Sequence, residues 1–255
     1  MNPFIPTSAF DPNHLKGSTL ILPSVSIGNV PQLACDLFIH TIKLERVGFI
    51  EDNAVMPMVG AREGTDATGV SVSVEVYQSS CRQWTVVQQR APAFKGKRRQ
   101  YIDHLATFIQ QAEFSNVVLL TSADAARRMD SQINGPPFRV QGSATNTFAQ
   151  RAFDLGVQEL EKIDINDTAM DQNANALPGT KFAQQLFQKL QELSIPTTLF
   201  IMFALEGDNV NDGVAFANLI NAVLQLKPAS ASAAWTPPKS WEFLFGTPFN
   251  AGLYQ

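Results

Sequence analysis

The sequence predicts an α/β fold: one three-layer α/β/α domain, with a mixed, largely parallel sheet between helical layers and one antiparallel hairpin. Three observations lead there. Apolar residues recur at helical spacing in four windows: 30–38, 102–112, 183–193 and 216–224. Continuous apolar runs of strand length fall at 19–22, 116–121 and 198–205, the pattern of strands covered on both faces. A strictly alternating run, Val70, Val72, Val74 and Val76 against Ser71, Ser73, Glu75 and Tyr77, is followed by Trp84-Thr85-Val86-Val87 and predicts the hairpin.

In chain order, the strand Thr19–Leu22 ends at Pro23 and is followed by the turn Ser26-Ile27-Gly28-Asn29. Val30, Leu33, Ala34, Leu37 and Phe38 then form one helix face, with Asn29 as the expected cap and Pro31 in the first turn, where its missing N–H costs little. Val47–Ile50 resumes as strand. After the hairpin, Ile102, Leu105, Ile109 and Ala112 mark a helix, and Asn116–Thr121 a buried strand. The periodic signal fades from Ser122 to Gly179, where Gly135-Pro136-Pro137 and 164–175 look like loop and only short helical pieces near Phe148–Leu160 are expected. Thr180 is the expected cap of a helix facing inward with Ala183, Leu186, Phe187, Leu190 and Leu193, stopped by Ile195-Pro196. Thr198–Leu205 is strand. Phe216, Leu219, Ile220, Val223 and Leu224 give the last helix, capped by Asn211 or Asp212. The expected organisation is a lead over 1–17, an α/β domain over 18–227 with a long irregular insertion at 122–177, and a flexible linker and tail over 228–255.

Composition narrows the function. The chain has 255 residues, 45% apolar and only 16% charged, with 19 Lys+Arg against 23 Asp+Glu. Ordinary apolar content excludes global disorder, and a net charge of −4 gives no general attraction to nucleic acid or anionic membrane. Two cysteines, Cys35 and Cys81, cannot build a disulfide scaffold, and both are expected to be small buried thiols in a reducing compartment. The N-terminus has no secretory pattern, and the longest apolar run, Leu199–Leu205, is too short to span a bilayer. A soluble intracellular protein is expected.

The usual catalytic and cofactor motifs are absent. There is no P-loop, no G-x-G-x-x-G, no H-E-x-x-H and no G-x-S-x-G, and His14, His40 and His104 are scattered. Neither catalytic residues, nor a metal, nor a cofactor is expected. Cys35, on an apolar helix face, reads as core filler. The acidic stretch Glu206–Gly213 follows a buried strand, where ligands of open α/β sheets collect. As a calcium loop starting at Asp208 it fails, because Val210 and Leu219 occupy positions that need oxygen ligands. A tight turn with an acidic helix start explains it; an enzyme site with Glu206, Asp208 and Asp212 around a small ligand is the alternative. The basic run Lys95-Gly96-Lys97-Arg98-Arg99 suits a solvated helix entry or an acidic protein partner better than nucleic acid. The chain closes on Leu253-Tyr254-Gln255. An apolar anchor, a tyrosine and a terminal carboxylate form the tail with which proteasome activators dock on the core particle, the carboxylate pairing with a lysine in a pocket.

Several segments share one resemblance. Ser26–Leu37, Met56 with Pro57-Met58-Val59-Gly60, Glu75-Val76-Tyr77, Pro137-Phe138-Arg139, Pro178-Gly179, and Phe203–Asn209 with Asp212 occur in the order seen in the proteasome assembly chaperone 2 family, which the chain resembles over roughly 18–225. Pro31 stands where some relatives carry glycine. The resemblance implies a fold related to nucleoside phosphorylases and an ATP-independent chaperone rather than an enzyme. It implies a heterodimer with proteasome assembly chaperone 1, seated on the outer face of the proteasome α-ring. There the pair would promote ring assembly and block ring dimerisation and premature regulator binding. Proteasome α subunits are the implied target, with Leu253, Tyr254 and Gln255 as the docking residues. Half of such a pair is expected to expose an apolar patch.

Overall fold

The computed structural model describes residues 2–62, 69–129, 133, 135–142, 146–161, 177–228, 232 and 234–243. Nine strands form one mixed sheet: β1 (Phe4–Pro6), β2 (Thr19–Pro23), β3 (Glu45–Ile50), β6 (Val74–Gln78), β7 (Trp84–Gln89), β8 (Asn116–Asp124), β9 (Phe138–Gly142), β10 (Gln158–Glu159) and β11 (Thr197–Ala204). Their order is β1-β3-β6-β7-β2-β8-β11-β9-β10. The central strands β7, β2, β8 and β11 are mutually parallel, and β6 and β7 form the antiparallel hairpin. A separate two-stranded ribbon pairs β4 (Val59–Ala61) with β5 (Val70–Val72).

Among the described residues, five α-helices cover the two faces: α1 (Val30–Thr41), α2 (Arg98–Gln111), α3 (Thr147–Asp154), α4 (Lys181–Glu192) and α5 (Val210–Leu224). Strand alternation sorts the core. Leu20, Leu22, Val117, Leu119, Leu199, Ile201 and Phe203 point toward α2 and α4. Ile21, Val118, Leu120, Phe200 and Met202 point toward α1, α3 and α5. Strands apolar on both faces therefore sit between two helical layers, as the continuous apolar runs require.

Several local expectations change. The valine alternation from 70 to 76 is two strands. The Ser73 hydroxyl donates to the Met56 carbonyl at 2.7 Å and accepts from the Met58 N–H at 2.8 Å, so the chain pivots there. The residues before it pair with β4, off the main sheet. Asn29, expected to cap α1, is left-handed (φ 51°) and makes no side-chain capping bond. The Thr180 hydroxyl donates backward to the Leu177 carbonyl at 2.8 Å instead of capping α4. The residue at the start of α5 is Asn209, ahead of Asn211 and Asp212. Part of the lead at 1–17 belongs to the sheet, since β1 pairs with β3. The described part of 122–177 carries β9, α3 and β10, with Asn146 capping α3 through a 2.9 Å bond to the Phe148 N–H. These strands sit at the far edge of the sheet, are short, and alternate little, which hides them from periodicity.

Beyond Pro228, Trp235 folds back on the domain. Its ring lies 5.6 Å from that of Phe38, Lys227 Nζ sits 4.1 Å from its centroid, and its indole N–H donates to Asn218 at 2.8 Å.

Candidate functional site

The parallel strands β2, β8 and β11 end side by side, and the segments that leave them carry most of the motifs singled out in the sequence. After β2, the Ser24 hydroxyl donates to Thr121 of β8 at 2.8 Å. Ser26 and Ser122 share a 2.8 Å hydroxyl contact, and Ser122 donates to the Ile27 carbonyl at 2.6 Å. Gly28 follows with φ 61°, and a Cβ there would lie 2.4 Å from Asn209 Oδ1. Gly179 takes φ 94°, and its Cβ would lie 2.6 Å from the Ser122 carbonyl oxygen. Both positions need glycine, for backbone conformation and for space.

The three acids of the last motif do not converge. Glu206 accepts from the Gly28 N–H at 3.1 Å, Asp208 accepts from the Val210 N–H at 3.2 Å, and Asp212 accepts from Asn209 Nδ2 at 2.7 Å. Asn209 Nδ2 also donates to the Leu205 carbonyl at 2.8 Å. Glu206 thus ties the loop after β11 to the turn after β2, while Asp208 and Asp212 hold groups within the connection from β11 to α5. The arrangement fastens three strand ends together and presents no paired acid and base.

Two other motifs are buried ion pairs. In Glu75-Val76-Tyr77, the fully buried Glu75 meets Arg46 at 2.7 Å and accepts from the Tyr77 hydroxyl at 3.0 Å. Burial, and then the Glu75 charge, pushes the Tyr77 hydroxyl well above the ordinary tyrosine range. Arg139, only 2% exposed, contacts both Glu161 oxygens at 3.0 and 3.1 Å, and its guanidinium lies 5.7 Å from the Phe203 ring centroid. Phe203 opens the last motif, so distant motifs meet here. Sequence reasoning overlooked a further pair: Asp36 binds Arg90 at 2.9 Å and Gln88 at 2.7 Å, joining α1 to β7.

Cys35 is buried, and desolvation, reinforced by Asp36 and opposed by Arg90, keeps its thiol protonated. Cys81, expected buried, is exposed, and a hydrogen bond with Ser79 lowers its thiol pKa. His104 binds Asp52 at 2.8 Å. No three His, Cys, Asp or Glu side chains gather as a metal group among the described residues.

One motif behaves differently. Pro57-Met58-Val59-Gly60 enters the ribbon, and Val59 is 71% exposed. Beside it lies an open groove of about 970 Å³ between β1, β3, the ribbon and α2. The basic run 95–99 stands at the N-terminus of α2, with all four of its cations exposed. Leu253, Tyr254 and Gln255, the expected docking residues, lie outside the described residues.

The model of the PAC2 family matches residues 20–212. The chain belongs to the PAC2 family. Similar curated proteins include one named proteasome assembly chaperone 2 from Danio rerio, 36% identical over 91% of this chain and 93% of its own length. Those of the same name from Nematostella vectensis and Homo sapiens are 34% and 29% identical, over 83% and 98% of this chain and 91% and 100% of their own lengths. Among solved structures, the fold is similar to Pyrococcus furiosus PbaB, an archaeal proteasome activator (TM-score 0.62, 15% identity, 89% of this chain and 91% of that one). It is also similar to P. furiosus PbaA, an archaeal homologue of proteasome-assembly chaperone (TM-score 0.61, 11% identity, 84% and 80%). Family membership agrees with the resemblance carried by the motifs, and the fastened loops make those motifs elements of the family fold.

Proposed function

We propose that this chain is a proteasome assembly chaperone. It works without ATP, as a heterodimer with proteasome assembly chaperone 1, on the outer face of the α-ring, in the cytoplasm or nucleus. There it promotes ring assembly and blocks ring dimerisation and early regulator binding. The observation that carries this reading is the near full-length similarity to proteins named proteasome assembly chaperone 2, 91% of this chain against the Danio rerio protein and 98% against the human one. The commitment of Glu206, Asp208 and Asp212 to loop backbone and Asn209 supports a binding role over a catalytic one.

In this reading Leu253, Tyr254 and Gln255 supply the docking tail: an apolar anchor, an aromatic with a polar tip, and a carboxylate for a lysine in a pocket. Deleting these three residues is expected to weaken α-ring capture by the co-purified chaperone pair about tenfold or more, with the circular dichroism spectrum unchanged. Unchanged capture would remove the tail from the reading. Failure to co-purify with proteasome assembly chaperone 1 would remove the heterodimer.

A further inference from the structure

The groove beside β1 combines features that the fold itself does not use. Its walls carry Ile5, Val55, Pro57, Met58, Val72 and Phe94. Ile5 and Phe94 are 44% and 40% exposed, and Met56, Val59 and Val70 are exposed on the adjoining ribbon and its approach. Single exposed apolar residues are ordinary, but several around one concave surface mark a contact site.

A basic run adjoins this groove at Phe94 and Asn53. Phe94, on the wall, leads directly into Lys95, Lys97, Arg98 and Arg99, and α2 begins at Arg98. Lys97 Nζ reaches the carbonyl of Asn53, another groove residue, at 3.4 Å. None of the four cations forms an ion pair among the described residues. They crowd the positive end of the helix dipole, and the first turn holds no acid. A helix start built this way is electrostatically unfavourable when alone, and an anion placed against it removes the conflict. Glu51 and Asp52 also line the groove. The Asp52 carboxylate is wholly buried and committed to His104 and to the Ala54 N–H, which leaves Glu51 as the exposed carboxylate of the trough and the four cations beside it at the start of α2.

We propose that this groove docks an extended segment of a protein partner, with apolar residues in the trough and carboxylates against Lys95, Lys97, Arg98 and Arg99. The concave shape and the ribbon beside it suit a polypeptide and not a flat bilayer. The four-cation rim supplies the charge complementarity that selects an acidic flank.

The probe is a short labelled peptide in which leucine and phenylalanine alternate with serine and lead into a run of glutamates. Its binding to the full chain is followed by fluorescence anisotropy. Saturable binding is expected, with the double variant R98E/R99E weakening it about tenfold or more and Phe94→Ser doing the same. The charge variant is also expected to raise the melting temperature by about 2 °C, because glutamates suit a helix start. Looser binding with a more stable fold separates a docking role from a structural one. Removing Leu253–Gln255 is expected to leave peptide affinity unchanged, so the tail and the groove fail or stand separately.

The proposal is overturned by any of these results: no saturable binding; equal binding of a peptide with lysines in place of glutamates; binding indifferent to both variants; equal binding of anionic phospholipid vesicles; or peptide binding lost with the tail. Self-association of the purified chain that Phe94→Ser abolishes would overturn it too, by assigning the groove to a second copy.

Discussion

The junction at the ends of β2, β8 and β11 and the groove beside β1 use their side chains in opposite ways. At the junction, serine hydroxyls, an asparagine and three carboxylates are bound to the backbone or to one another, and two glycines make room for neighbouring atoms. At the groove, apolar side chains face water, and the four exposed cations beside it form no ion pair among the described residues. Polar character alone therefore does not identify the working surface. The junction's acids read in sequence as a turn, with an enzyme site as the alternative, and they are a fastening. The groove looks like a turn and a helix entry and is the surface left unfinished.

The sharpest way to break this contrast is at Arg46. Its Nη1 donates to the buried Glu75 and to the Val70 carbonyl of the ribbon, both at 2.7 Å, so it joins the overhanging ribbon to the sheet. Arg46→Met is expected to cost about 4 kcal/mol in denaturant unfolding, because Glu75 loses its charge partner inside the protein. Hydrogen exchange should speed up in β4 and β5 more than at the junction. A loss near zero would mean that Glu75 and the ribbon are held by other contacts.

Next in size is Gly179→Ala. A left-handed backbone and a carbonyl 2.6 Å from the new Cβ should together cost about 3 kcal/mol. Gly96→Ala, at the groove rim, has φ 84° but open space around it, and should cost only about 1 kcal/mol. Equal losses would erase the distinction between a packed junction and an open rim.

The smallest effect concerns Tyr101. Its ring is fully buried and stacks on Phe182 at 5.6 Å, while its hydroxyl has no hydrogen-bond partner among the described residues. Tyr101→Phe should be neutral or stabilise by up to about 1 kcal/mol. Burial, and then Asp52, raises this hydroxyl's pKa above the ordinary 10.0. Above pH 10 the unfolded chain releases the proton and the folded chain keeps it. The unfolded state then binds fewer protons, and stability falls as pH rises through this range. The variant should flatten that alkaline loss, as thermal melts across pH would show. An unchanged slope would assign the loss to other groups, among them Tyr77.

The helical layers and the central strands were legible because burial on a regular element leaves a period in the sequence. Val30 to Phe38, Leu186 to Leu190 and Phe216 to Leu224 repeat with the turn of a helix, and Val117–Leu120 and Leu199–Met202 run apolar without interruption. The edges were not legible. β1, β9 and β10 are two to five residues long, too short to show a period. The valine run at 70–76 kept its alternation while changing partners at Ser73, since alternation records facing but not pairing. The acidic motif reads from sequence as a tight turn with an acidic helix start, but which groups its carboxylates hold is not legible there. Glu206 and Asp208 show carboxylates in sequence, and only their acceptance of the Gly28 and Val210 N–H groups shows what they hold.

By itself, the sequence determined the α/β class, the two helical layers, the composition of the core and the family, because each depends on residue types at short spacing. The tertiary structure alone decided that residues far apart along the chain (Gly28 and Asn209, Glu75 and Arg46, Phe94 and Ile5) share a junction, a pair or a groove. Contacts of that kind depend on how strands are ordered across a sheet, which no local period encodes.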